Sequence, residues 1–134
     1  MEEISSVVEK YRRSVETLDR DLAQRVWADT PDVSFIHPRG HEHTWAEVWQ
    51  NFYQNTMGLF SERALTVYEP RIYSNGDAAY VEFYWDFVAR FKKDGSPHHT
   101  EGRESQMLLR TPLGWRIIHV HYSGKAVTGD REGF

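Results

Sequence analysis

The sequence predicts an α+β fold in which a curled, largely antiparallel sheet wraps helices supplied by the first part of the chain. Three observations carry that reading. Apolar residues recur at helical spacing over the first sixty positions, and apolar and polar residues alternate at period two afterwards. Three clusters of turn residues then divide the second half into a meander of four strands, and helices followed by antiparallel strands are the signature of this class.

Ile4, Val7, Val8, Tyr11, Val15 and Leu18 form the stripe of an amphipathic helix, and a shorter helix is expected from Leu18 to Trp27. Asp29-Thr30-Pro31-Asp32 ends it, because proline cannot continue a helix. Val33 to Ile36 reads as a short strand, and His37-Pro38-Arg39-Gly40 as a turn. Thr44 is placed to N-cap a third helix over 45–58, with Glu47 closing a capping box and Trp45, Val48, Trp49, Phe52 and Tyr53 on its buried stripe. Leu65 to Tyr73 is a strand interrupted near Pro70, and Ser74-Asn75-Gly76-Asp77 a hairpin turn. Ala79 to Phe91, His99 to Arg110 and Trp115 to Tyr122 follow as strands, joined at Asp94-Gly95 and Thr111-Pro112-Leu113-Gly114. One domain is expected over 1–124, with a loose tail over 125–134.

Composition excludes several functions. The 134 residues contain no cysteine, so no disulfide, thiolate zinc site or cysteine nucleophile exists. Sixteen basic against twenty acidic residues give a net charge of -4 with no basic strip, which argues against nucleic acid. An acidic start at Met1-Glu2-Glu3 and the lack of a long apolar run argue against secretion and membrane insertion, so a cytoplasmic location is expected.

Two-residue turns at Asp94-Gly95 and Pro112-Leu113 would pair Trp85 with Glu104, Phe83 with Gln106, His119 with Gln106 and His121 with Glu104. One face would then carry Phe83, Trp85, Glu104, Gln106, His119 and His121, a polar cluster walled by aromatics. The other would carry Met107, Leu109, Ile118 and Val120, apolar enough to predict a homodimer packed through the convex face, with Asp86 opposite Arg103 as an ion pair.

These residues carry a resemblance. Asp77-Ala78-Ala79-Tyr80, Lys93-Asp94-Gly95, Glu104-Ser105 and the ending W-x-x-x-H-x-H-x-S-G, from Trp115 to Gly124, resemble the nuclear transport factor 2-like superfamily. SnoaL-like domains and the association domain of calcium/calmodulin-dependent protein kinase II are the nearest likenesses. The resemblance implies a cystatin-like cone of one curved sheet around three helices, dimerisation through the sheet and a pocket at the cone mouth. The pocket arginines of the kinase domains fall at Trp85 and Gln106 here, so an anion held by that arginine pair does not carry over. The superfamily includes isomerases, epoxide hydrolases and cyclases beside domains that only bind or assemble.

Two readings of the polar cluster stand. In one, His121 is a general base oriented by Glu104, and His119 or Tyr53 polarises a small, largely apolar substrate in a proton-transfer reaction such as isomerisation, cyclisation or epoxide hydration. Trp85, Phe83 and Trp49 form the apolar wall, Gln106 contacts the ligand, and His37 reaches the pocket from its turn. In the other, the polar groups satisfy one another and the domain is a non-catalytic oligomerisation or binding module. His119, His121 and Glu104 also make a facial-triad ligand set on paper. His37, His41 and His43 make a second set, but neither a metal nor a cofactor is expected.

Overall fold

The computed structural model describes residues 2–125, so the expected tail lies, except for Lys125, outside the described residues. Helix α1 spans Glu2–Thr17 and buries Ile4, Val7, Val8, Tyr11 and Val15, as their spacing requires. Leu18 adopts a left-handed conformation (φ 54°) that breaks the chain from α1. The second helix is therefore shorter than expected, running as α2 over Arg20–Gln24, with the Asp19 side chain capping the amide of Leu22.

Strand β1 (Ser34–His37) turns back at once as β2 (Gly40–His43), a hairpin where the sequence reading had only a strand and a turn. The third helix starts as α3, Thr44–Glu47, and widens over Val48–Gln54 into i to i+5 bonding, as in the bond from the Asn55 amide to the Gln50 carbonyl. Thr44 Oγ1 accepts from the Glu47 amide at 3.4 Å, while Glu47 accepts from His43 instead of Thr44, at 2.8 Å. A short 3-10 turn, Met57–Leu59, leads into β3.

Strands β3 (Phe60–Asn75), β4 (Ala78–Phe91), β5 (Pro97–Thr111) and β6 (Gly114–Gly124) form the meander. The six-stranded sheet runs β2-β1-β6-β5-β4-β3, antiparallel except where β1 lies parallel to β6. The register of β3 against β4 shifts between Tyr68 and Arg71, at Pro70, which has no amide to donate to the ladder.

Two expected registers are corrected. The β4–β5 connection is longer than a two-residue turn, so Trp85 faces Gly102, Phe83 faces Glu104 and Val81 faces Gln106. That slip is of two residues and leaves every side chain on its expected face. Asp86 faces Glu101 instead of Arg103 and bonds His99 at 2.6 Å. The β5–β6 register follows expectation from Arg110/Trp115 to Leu108/Ile117, and then a bulge inserts Ile118. Beyond it Met107 faces His119, Gln106 faces Val120, Ser105 faces His121 and Glu104 faces Tyr122. This slip is of one residue and exchanges the faces. Val120 enters the core fully buried, beside Phe35 of β1, while His121 lies exposed on the outer face with His119 half-buried beside Ser34. Burying an apolar valine in place of an imidazole avoids desolvating a polar ring.

Candidate functional site

The helices and the concave sheet face enclose a cavity of about 400 Å³. Phe52, Phe60, Leu65, Trp85, Phe87 and Phe91 supply most of its wall, and Tyr11, Arg39, His98, Glu104 and Tyr122 its polar lining. These polar residues arrive from four elements, His98 and Glu104 sharing β5. Tyr11 comes from α1, Arg39 from the β1–β2 turn, Glu104 from mid β5, and Tyr122 from β6 after the bulge. Trp85 lies flat across β5 because Gly102 opposite it has no side chain: a Cβ there would stand 2.3 Å from the indole and 2.1 Å from the Ser123 carbonyl.

Glu104 is the chemical centre. Its carboxyl is 7% exposed and accepts a 2.8 Å hydrogen bond from the Gln106 amide. Burial raises its pKa from the ordinary 4.5 to about 8, against the opposing pull of Gln106 and the Tyr11 hydroxyl. Burial, reinforced by the Glu104 charge, holds the Tyr11 and Tyr122 phenols above their usual range, and Arg39 works against the rise at Tyr122. Tyr122 thus sits electrostatically between a carboxyl and a guanidinium.

A second polar group underpins the mouth. His37 Nε2 lies 2.6 Å from Glu42, both side chains being buried, and the other Glu42 oxygen accepts from Asn51 at 2.8 Å. His37 Nδ1 accepts from the Arg39 amide at 3.2 Å, so the ring proton sits on Nε2 and is donated to Glu42. Both ring nitrogens are used inside the hairpin. His37 therefore stands behind the cavity, stacked on Tyr122 at 6.2 Å, and it is Pro38 and Arg39 that line it.

Of the expected site residues, Glu104, Gln106, Phe83 and Trp85 come together on the concave face, but of these only Glu104 and Trp85 line the cavity; Gln106 supports Glu104, and Phe83 lies buried outside the lining. His119 and His121 do not join them, and the pairing of His121 with Glu104 is corrected by the bulge. His121 lines a charged groove of about 570 Å³ on the outer face with Arg71, Glu82 and Arg103. Tyr53 is fully buried but bonds Ser14 at 2.8 Å and Trp27 at 3.1 Å instead of the expected cluster. Trp49 stacks on Tyr53 under the Arg20 guanidinium, outside the cavity wall. The facial triad is split across the sheet. Among the described residues, one group brings three potential ligand atoms together, Asp86, His99 and Glu101 on the outer face, and there His99 is already paired with Asp86.

Sequence reasoning missed Tyr11, Tyr122, Arg39 and His98 as cavity residues. Tyr11 and Tyr122 carried a signal, since a buried phenol needs a polar neighbour.

Comparisons with known proteins agree with this architecture. A family model described as a SnoaL-like domain matches residues 4–128. A nuclear transport factor 2-like superfamily protein from Salmonella enterica serovar Typhimurium is 45% identical, with a TM-score of 0.94, over 99% of this chain and 96% of its own. A candidate dehydratase of the same fold family from Streptomyces avermitilis has a TM-score of 0.81 at 19% identity, over 92% and 94%. The S. rosetta CaMKII hub has a TM-score of 0.74 at 18% identity, over 92% of this chain and 95% of its own. The last two establish the fold alone. A comparison with curated proteins gives no match.

Proposed function

The chain belongs to the SnoaL-like domain family, within the nuclear transport factor 2-like superfamily, and on that premise we propose that it binds a small, largely apolar molecule in the Glu104 cavity and moves a proton on it. The observation that carries the reading is the Glu104 carboxyl itself, buried beside Tyr11, Trp85 and Tyr122 with a pKa of about 8. Both its acid and its base form are populated near neutral pH, whereas an ordinary carboxyl is ionised there throughout. Gln106 fixes its orientation through the 2.8 Å bond.

The reaction best matched to one such group is an isomerisation. Glu104 as carboxylate takes a proton from the carbon beside a carbonyl, and the C–H electron pair moves into the carbonyl to give an enolate. The neutral Glu104 then returns the proton to a different carbon, so the double bond shifts with no net gain or loss of atoms. The Tyr11 and Tyr122 hydroxyls, held protonated, are the donors available to the developing oxygen charge. The proton-transfer role thus passes from His121 to Glu104, with His119 and His121 outside the reaction.

Solvent-deuterium incorporation into a panel of apolar β,γ-unsaturated ketones, followed by NMR, tests this. The wild type should catalyse exchange, and E104Q should be slower by about 100-fold or more. Equal exchange by both would end the reading.

The outer face favours an accompanying role in assembly. Tyr68, Tyr73, Tyr80, Tyr84, Val88 and Met107 lie exposed there, with Tyr73 stacked on Tyr80 at 5.6 Å. We infer a homodimer through this face. A module that only assembles, as hubs do, is the alternative, and light scattering separates them: a stable dimer with exchange activity supports the first reading, a larger ring without activity the second.

A further inference from the structure

We propose that the ligand of this cavity is an elongated organic acid whose carboxylate is held at the mouth by Arg39 and whose apolar body runs along β5 toward Phe91. The inference rests on the Glu104 cavity being the functional site.

The first argument is the sense of the hydrogen bonding. The polar end of the cavity is rich in donors. Arg39 is solvent-exposed where it lines the cavity, and among the described residues no carboxylate pairs with its guanidinium. The indole N–H of Trp85 is buried with no partner. Tyr122, between Arg39 and Glu104, is held protonated, and neutral Glu104 is itself a donor. Leaving the buried Trp85 N–H without an acceptor is costly, and a ligand that brings acceptors to this end of the cavity relieves it. A carboxylate brings two, with the charge that an unpaired guanidinium matches in bidentate geometry.

The second argument is how Arg39 is held. A buried histidine-carboxylate pair carries a desolvation cost that a plain hairpin does not require. Here His37 and Glu42 of the strand pair are tied together and to Asn51 of the helix over Val48–Gln54, and His37 Nδ1 takes the amide of Arg39 itself. The element this network orders is the turn that carries Pro38 and Arg39 into the cavity lining.

The third argument is shape. Along β5 the lining runs from Glu104 to Thr100 and His98, and six residues of strand span about 20 Å. A volume of about 400 Å³ drawn out along that path is narrow. It fits a chain, or one ring on a chain, with Phe60, Phe87 and Phe91 around the far end.

The test is calorimetric titration at pH 7 with phenylbutanoate and its neutral amide, which differ only at the head group. Wild-type protein should bind the acid about tenfold more tightly or better, and R39Q should bring acid and amide within about twofold of each other. Equal binding of acid and amide by the wild type overturns the acid assignment and leaves the cavity reading standing. A preference for the acid that survives in R39Q overturns the role of Arg39. Failure of both compounds to bind overturns the cavity reading and this inference with it.

Discussion

Replacing Glu104 with glutamine should change the pH dependence of stability in a direction opposite to that of a typical carboxyl. In the native protein the Glu104 pKa is raised by burial from the ordinary 4.5 to about 8. Between those values the folded chain keeps a proton that the unfolded chain has released, so stability falls as pH rises. The contribution is fully present below pH 4.5 and is lost by the time pH passes 8. Each pH interval of one is worth about 1.4 kcal/mol, so the whole window amounts to at most about 5 kcal/mol. A glutamine at 104 keeps an acceptor for the Gln106 amide and does not titrate. The unfolding free energy of E104Q minus that of the wild type should therefore climb steadily between pH 5 and 8 and then level. Urea unfolding of both proteins at half-unit steps from pH 5 to 9 measures that difference. A flat difference, or one that falls with pH, would refute the burial argument and remove the basis for proton transfer by Glu104.

Other outcomes follow from the same geometry. H37A leaves Glu42 buried without its partner and should cost about 3 kcal/mol in urea unfolding, with its largest spectral effect near the β1–β2 hairpin. H119A and H121A, on the outer face, should leave deuterium exchange within about twofold of wild type, in contrast to E104Q; a large loss in either would return the chemistry to the histidines. In G102A the new methyl meets the Ser123 carbonyl and the Trp85 ring at once, and a cost above about 2 kcal/mol with an altered near-ultraviolet dichroism of Trp85 is expected. Y84E places a charge in the proposed dimer face and should shift the light-scattering mass from dimer to monomer.

Much of the fold was legible because periodicity is a local property. The stripe from Ile4 to Val15 packs as its spacing requires, and Ala79, Val81, Phe83, Trp85 and Phe87 alternate into the core without exception. The β2 strand was not legible, since Gly40-His41-Glu42-His43 has neither apolar alternation nor β-branched residues, and its inward residue is a glutamate whose partners are His37 and Asn51. The premature end of α1 was hidden too: Leu18 continues the apolar stripe but takes a left-handed turn.

At the site, the sequence by itself determined that Phe83, Trp85, Glu104 and Gln106 share one face. That result survived a wrong turn length, because a slip of two residues preserves the side to which a strand side chain points. Only the tertiary structure decided which residues of β6 join them. One inserted residue, Ile118, moved His119 and His121 out and brought Val120 and Tyr122 in. No local pattern selects between those alternatives, since both registers alternate. The choice is made where β1 lies alongside and Phe35 needs an apolar neighbour at Val120. The same holds for Tyr11 and Arg39, remote in sequence from Glu104, which reach its cavity only because the sheet curls around α1 and the β1–β2 hairpin folds over its mouth.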